Sequence, residues 1–294
     1  MSILVEFTGS QANKCYTAKN RSLLWRRIFK IISAVSLSGL LWSSANANMN
    51  YHLVSTTEYL DYELPKSIQE HCLERGKCPE IEVKRLNTNH DWINQMVNKR
   101  AGELAINITA SDVASKSTNA KVNLKEALDN FAAESLELPK DVPWAYQLMI
   151  TPEYLGHVSS FELFEIDSYV FTGGAHGMPY SEYLIFDHTT KAQIGLDGML
   201  QPGQASSFET LAYKAYKEWV KTVDNDVESY EKQWPFVMSK NITLTDKGVD
   251  IRYQHYEIGP YAYGMPVLSI PYDKLKSIIK PHFIPKQLTS KVGS

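Results

Sequence analysis

Several kinds of signal are missing from these 294 residues. There is no HExxH, no GxSxG, no P-loop and no GxGxxG opening a helix, so the usual zinc, serine-nucleophile and nucleotide-binding machines have no support. One SxxK match, Ser277 to Lys280, lacks the companion motifs of penicillin-binding enzymes and reads as chance. No block of like charge occurs, since 30 Lys and Arg are spread among 33 Asp and Glu. With 44% hydrophobic and 11% aromatic residues, disorder, collagen and a polytopic membrane protein are excluded. Cysteine is scarce, at three residues. The apolar stretch at residues 31–42 has twelve residues, well short of the roughly 20 that cross a bilayer.

What that stretch does suit is export. Arg21, Arg26, Arg27 and Lys30 precede it, and the small residues of Ser43 to Ala47 follow, so residues 1–47 are expected to be a signal peptide cut after Ala47. An uncleaved membrane anchor is the alternative. Cys15 lies before the apolar run, which argues against a lipoprotein. Six of the 30 basic residues and one of the 33 acidic ones precede residue 48, leaving 24 against 32 and a net charge of −8. Such a chain repels nucleic acid and anionic lipid and favours cationic partners. A periplasmic or secreted protein with no membrane span after cleavage is expected, and no cofactor or metal.

Cys72 and Cys78 then remain as an isolated pair in HCLERGKCP, with Gly76 and Pro79 marking a bend. In an oxidising compartment a local disulfide is the default. Zinc with His71 is the alternative, but the set lacks a usual ligand spacing. A loop this short implies a modest gain of about 2 kcal/mol.

Periodicity organises the rest. Ile81 and Val83 alternate with Glu82 and Lys84 as in a strand, and Trp92, Ile93, Met96, Val97 and Leu104 recur at helical spacing, with Thr88 and Asn89 as candidate caps. Asn123 with Glu126 signals a helix start, and Pro139 and Pro143 its end. Residues 144–196 read as an antiparallel meander with turns at Thr151-Pro152, Gly173-Gly174 and Thr189-Thr190. Ser206 with Glu209 signals another helix, presenting Phe208, Leu211, Ala212, Tyr216 and Trp219. An acidic connector, a hairpin around Asp246-Lys247-Gly248, a strand over 265–270 and a short helix before Pro281 complete the chain. Helices segregated from an antiparallel sheet predict an α+β fold, a twisted meander packed against a few helices. The divisions are a signal peptide over 1–47, an extension over 48–77, a folded module over 78–285 (upstream part 78–140, C-terminal part 141–285) and a tail over 286–294.

Two segments stand out. YVFTGGAHGMPY (169–180) sets Gly173, Gly174 and Gly177 around His176, which suits a tight turn, a bulge or a ligand contact. YQHYEIGPYAYGM (253–265) sets Tyr253, Tyr256, Tyr261 and Tyr263 around Gly259-Pro260 and Gly264, which suits either a rigid binding loop or a tyrosine-filled core. Among eight histidines, His176 and His255 with Asp187-His188 are the grouping an enzyme would use, although structural histidines are the plainer reading.

Taken together, TGGAHG, Phe186-Asp187, Leu196-Asp197, a helix, GPYAYG and Ile270-Pro271 with Leu275 occur in the order of the RsiV-like family, which the chain resembles over about residues 78–285. That family comprises the extracytoplasmic lysozyme-sensing domain of anti-sigma factors and a module found beside peptidoglycan deacetylases. The resemblance implies a binding module for a cationic envelope protein such as lysozyme, or for peptidoglycan. Its contact would centre on Pro260 and Tyr261, with Tyr256, Tyr263, Gly173, Gly174 and His176 beside them. Sigma-factor control and deacetylase catalysis find no counterpart, since the regulatory segment and the metal-dependent domain of those relatives are missing from the pattern. The alternative is an envelope glycan hydrolase or deacetylase-like enzyme using His176, His255 and Asp187.

Overall fold

The computed structural model describes residues 53–110, 123–139 and 141–286; the signal-peptide expectation lies outside them. No helix of the described residues is long and apolar enough to cross a membrane. The chain runs β1 (Ser55–Tyr59), α1 (Lys66–Glu74), β2 (Glu80–Thr88), α2 (Asp91–Thr109), α3 (Leu124–Leu136), β3 (Gln147–Val158), β4 (Phe161–Phe171), β5 (Met178–Asp187) and β6 (Ala192–Ile194). It continues through α4 (Leu196–Met199), α5 (Ala205–Val223), α6 (Val227–Gln233), β7 (Ile242–Leu244), β8 (Gly248–Arg252), β9 (Val267–Pro271) and α7 (Tyr272–Leu275). The fold is α+β. Strands β1 to β6 form one sheet in sequence order, and β7 to β9 form a second.

The expected meander is present from β3 to β6, but β2 pairs with β3 in parallel, Val83 against Ile150. A parallel pair needs a crossover, and α2 and α3 supply it. Pro152 does not turn the chain as expected. It stays within β3 opposite Ile166, and the turn falls at Ser159, where φ is 55°. Residues 53–77, set apart above as an extension, carry β1 and α1, and β1 pairs with β2 along its whole length. Cys72 and Cys78 are joined, tying the last turn of α1 to the start of β2.

Helix starts follow local chemistry. Asn123 caps α3 as expected, its side chain accepting from the Glu126 N–H at 2.9 Å. Thr88 and Asn89 do not cap α2, whose N-cap is His90. Thr88 instead exchanges bonds with Asn94, which holds the turn into the helix. Ser206 lies inside the first turn of α5 and does not cap it, and the acidic connector contains α6, capped by Asp226.

Two cores result. Leu148, Ile150, Phe164, Ile166, Leu184 and Phe186 on one sheet face meet Ile93, Val97, Leu104, Leu128 and Phe131 of α2 and α3. On the other face Phe161, Leu163 and Ile185 meet α5 and the small sheet through Phe208, Tyr216, Val249, Ile251 and Leu268. Each fully buried side chain of this size contributes about 2 kcal/mol or more.

The two sheets are also clamped by side-chain amides. β6 pairs with β5 only from Ile185 to Asp187, leaving the edge of β5 open above. Asn241 accepts from the Tyr183 N–H at 2.8 Å and donates to the Ser181 carbonyl at 2.7 Å, while Gln254 brackets Ser181 in the same way. An otherwise exposed strand edge is thereby satisfied, and the chain beyond Gln254 is set beside the β4–β5 hairpin tip.

Candidate functional site

At that tip the two segments singled out in the sequence come together. Gly173 and Gly174 turn the hairpin with φ of 111° and 94°. Gly177 is required for a different reason: a Cβ there would lie 2.3 Å from the Tyr169 ring. The packed hairpin end exposes His176. Against it lies the loop after β8, where Gly259 has room for no side chain, because a Cβ would meet the Tyr230 hydroxyl at 2.6 Å. Tyr230 donates to the Ile258 carbonyl at 3.0 Å, its phenol pushed up to about 12 chiefly by burial. The tyrosine loop is therefore anchored from beneath by α6.

Its centre is Tyr261. The His176 ring stacks on it at 3.7 Å between centroids and 19° between planes, and the His255 ring at 4.3 Å and 23°. Two imidazoles cannot share one face of a phenol at those distances, so Tyr261 is held between them. Its hydroxyl donates to the Gly177 carbonyl at 3.0 Å, and His176 Nδ1 lies 3.1 Å from the same oxygen. A carbonyl only accepts, so Nδ1 donates to it, and Nε2 lies 3.4 Å from the Tyr256 hydroxyl. Tyr256 has a φ of 66° and is 47% exposed. On the far side Tyr263, 41% exposed, sets its edge against Trp219, whose ring also meets Tyr230.

The tyrosines divide between core and surface. Tyr253 is fully buried in the core, whereas Tyr256 and Tyr263 face solvent and Tyr261 is half-buried between the histidines. Pro260 is half-buried at the loop's turn into the 3-10 segment Tyr261–Tyr263. All seven sequence-predicted binding residues thus lie on the hairpin tip and the facing loop.

The enzymatic grouping does not assemble. His176 and His255 share Tyr261, but Asp187 ends β5 while His176 precedes its start, about 30 Å apart along a strand of ten residues. Asp187 instead holds its own turn, accepting from Thr189 N–H and the Thr190 hydroxyl. The loop's one acid, Glu257, turns back to the Gln254 N–H at 2.7 Å. Among the described residues no group of three His, Cys, Asp or Glu is placed to hold a metal.

Beside His255 an open pocket of about 420 Å³ lies between α2 and the hairpin, lined by Leu104, Ile108, Val170, Met178 and Tyr180 with Arg100 at its rim. Arg100 is oriented by a two-armed contact with Glu182, at 2.9 and 2.7 Å. Sequence reasoning missed Tyr169, Arg100 and Gln254. Tyr169 sat in plain view as the first residue of the glycine-rich segment; the other two come from elements whose approach no spacing encodes.

Residues 199–273, which include the tyrosine loop, match a family model described as a protein of unknown function, DUF3298. Solved structures with the same fold include a DUF3298 family protein from Pseudomonas aeruginosa PAO1. It is 24% identical, with a TM-score of 0.57 over 80% of this chain and 95% of that one. A member of the same family from Bacteroides fragilis NCTC 9343 is 17% identical, with a TM-score of 0.55 over 82% of this chain and 98% of that one. At these identities the likeness is one of fold. No curated protein matches the chain by sequence.

Proposed function

We propose that this chain is a non-catalytic binding module of the cell envelope whose partner is a cationic protein, a lysozyme being the one its sequence resemblance indicates. The supporting observation is the sandwich of Tyr261 between His176 and His255, which fixes a loop presenting Tyr256 and Tyr263 to solvent. Tyrosine on a rigid loop offers contact area with little entropy left to lose. The excess of 32 acidic over 24 basic residues beyond residue 47 suits such a partner. Peptidoglycan, the other partner expected from the resemblance, is tested in the same assay.

Calorimetry of the purified protein with a c-type lysozyme, and in parallel with soluble muropeptides, checks this reading. Submicromolar lysozyme binding that weakens with salt is expected. Tyr256→Ala, which removes an exposed ring and leaves the stack in place, is expected to cost about 2 kcal/mol of affinity. Tyr261→Ala should cost at least as much while leaving the melting temperature within a few degrees. Absence of lysozyme binding, or binding indifferent to both substitutions, would reject the proposal.

A further inference from the structure

Among the described residues, no element packs on one face of the six-stranded sheet over β2, β3 and the middle of β4. Helices α2 and α3 occupy the opposite face, and the small sheet with α5 covers Phe161, Leu163 and Ile185 and extends along β5 through Asn241, Arg252 and Gln254 as far as Ser181 and Glu165. The register shows what the open face bears. Glu82, Met149 and Tyr169 lie side by side, as do Thr151 and Asp167, then Glu153 and Glu165. Strand alternation sets these opposite Leu148, Ile150 and Ile166, which fill the core. Glu153 and Asp167 are exposed, and Glu82, Met149, Thr151 and Tyr169 are half-exposed.

Acids outnumber cations on this face, where Lys84, two residues from Glu82 on the same side of β2, sets its ammonium over the Tyr59 ring at 5.3 Å. Among the described residues no lysine or arginine bridges Glu82, Glu153 or Asp167; Arg252 reaches only Glu165, at the margin, at 2.7 Å. Like charges directly opposite destabilise a sheet, yet Glu153 stands across from Glu165. The Glu165 carboxyl is held above its usual range by burial first, with Asp167 and Glu153 adding to this against Ser181 and Arg252. The apolar members sit at the end nearest the tyrosine loop, where Tyr169 packs on Gly177 and Phe171 meets Trp144 at 6.3 Å.

We infer that this open sheet face docks a protein surface rich in arginine and lysine, with Glu82, Glu153 and Asp167 pairing to its cations and Met149 and Tyr169 receiving their apolar stems. Guanidinium groups suit such a face because they pair with carboxylates in plane and stack on phenol rings. The inference rests on the binding role proposed above and adds to it a second contact surface, separate from the exposed tyrosines.

The test compares two triple variants of the full protein that change net charge equally. Glu82→Gln, Glu153→Gln, Asp167→Asn neutralises the face; Glu70→Gln, Glu74→Gln, Glu209→Gln neutralises exposed acids on α1 and α5. Both are titrated with a nona-arginine peptide and with c-type lysozyme at low salt. The face variant is expected to bind either probe on the order of tenfold more weakly, and the control variant less than about twofold. Neutralising repelling carboxylates should leave the melting temperature unchanged or raised, and Asp167→Asn alone, at an exposed position, should show part of the loss. Equal weakening by both triples overturns the inference, as does a parent protein that binds neither probe. Nona-arginine binding that depends on the face, without lysozyme binding, keeps the inference and rejects lysozyme as partner. Lysozyme binding lost with Tyr256→Ala but indifferent to the face variant keeps the proposed function and rejects this surface.

Discussion

The two ends of β5 each carry a cluster of histidine and aromatic rings, and the two are built differently. Beyond Asp187, the His188 ring meets His90 edge-on at 4.8 Å, Trp92 lies 6.3 Å from His188, and Trp92 sets its edge on fully buried Phe186. This cluster closes the start of α2 onto the sheet. Before Met178, the His176, Tyr261 and His255 rings lie face to face, and none of His176, Tyr256 or Tyr261 belongs to either core. Edge-on contacts on a buried ring are how packing uses aromatics. His176, one outer member of the stack, faces solvent while His255 is half-buried, so the stack leaves its exposed side free for a partner.

Substitutions can break that contrast, and the closed end should give the largest effect. Phe186→Ala removes a ring packed against Trp92 and Phe164 and is expected to cost about 4 kcal/mol in chemical denaturation. It should leave lysozyme affinity unchanged for the fraction that folds. A loss of affinity larger than the unfolded fraction explains would show that the two ends are coupled.

At the open end the sensitive residue is a glycine. Gly177→Ala drives a methyl into the Tyr169 ring and is expected to cost about 2 kcal/mol. Tyr169→Ala in the same chain should recover most of it, since the clash and not the backbone is the cause. Failure of the rescue would place the cost in the backbone. His176→Ala, by contrast, removes an exposed ring and should change stability by no more than about 0.5 kcal/mol. Its effect belongs in the Tyr256 contact, read as a faster exchange of the loop amides.

How much of this the sequence shows depends on the range of the interaction. The α3 cap at Asn123, the β7–β8 hairpin and the link between Cys72 and Cys78 are local and were legible as such. So was the composition of the open site, because glycine and tyrosine mark both of its halves. What spacing does not carry is orientation across the chain. Pro152 stays in β3 two residues past Ile150, where β2 has stopped pairing and that edge of the strand is open, and the parallel β2–β3 pair depends on a crossover through two helices. The separation of Asp187 from His176 follows from the length of β5, since both are marked in the sequence as chemically apt. Asn241 and Gln254 look like ordinary polar residues until β5 is seen to lack a neighbour along half its edge.

The smallest effect concerns pH, and it probes the boundary where the open sheet face passes under the small sheet. Burial outweighs Arg252 and Ser181 at Glu165, so its carboxyl releases its proton at a higher pH in the folded chain than in the unfolded one, whose value is near 4.5. Over that interval the folded state holds the extra proton, and stability therefore falls as pH rises through it and levels off above. The unfolding free energy of the parent minus that of Glu165→Gln, measured from pH 4 to 7, should fall slightly across the interval. Glu165→Gln itself is expected to lower stability at every pH, because it leaves Arg252 with its charge and without a carboxylate in a half-buried place. A difference that rises with pH would mean that Arg252 dominates the site, and that the carboxylates of the open face do not reach it.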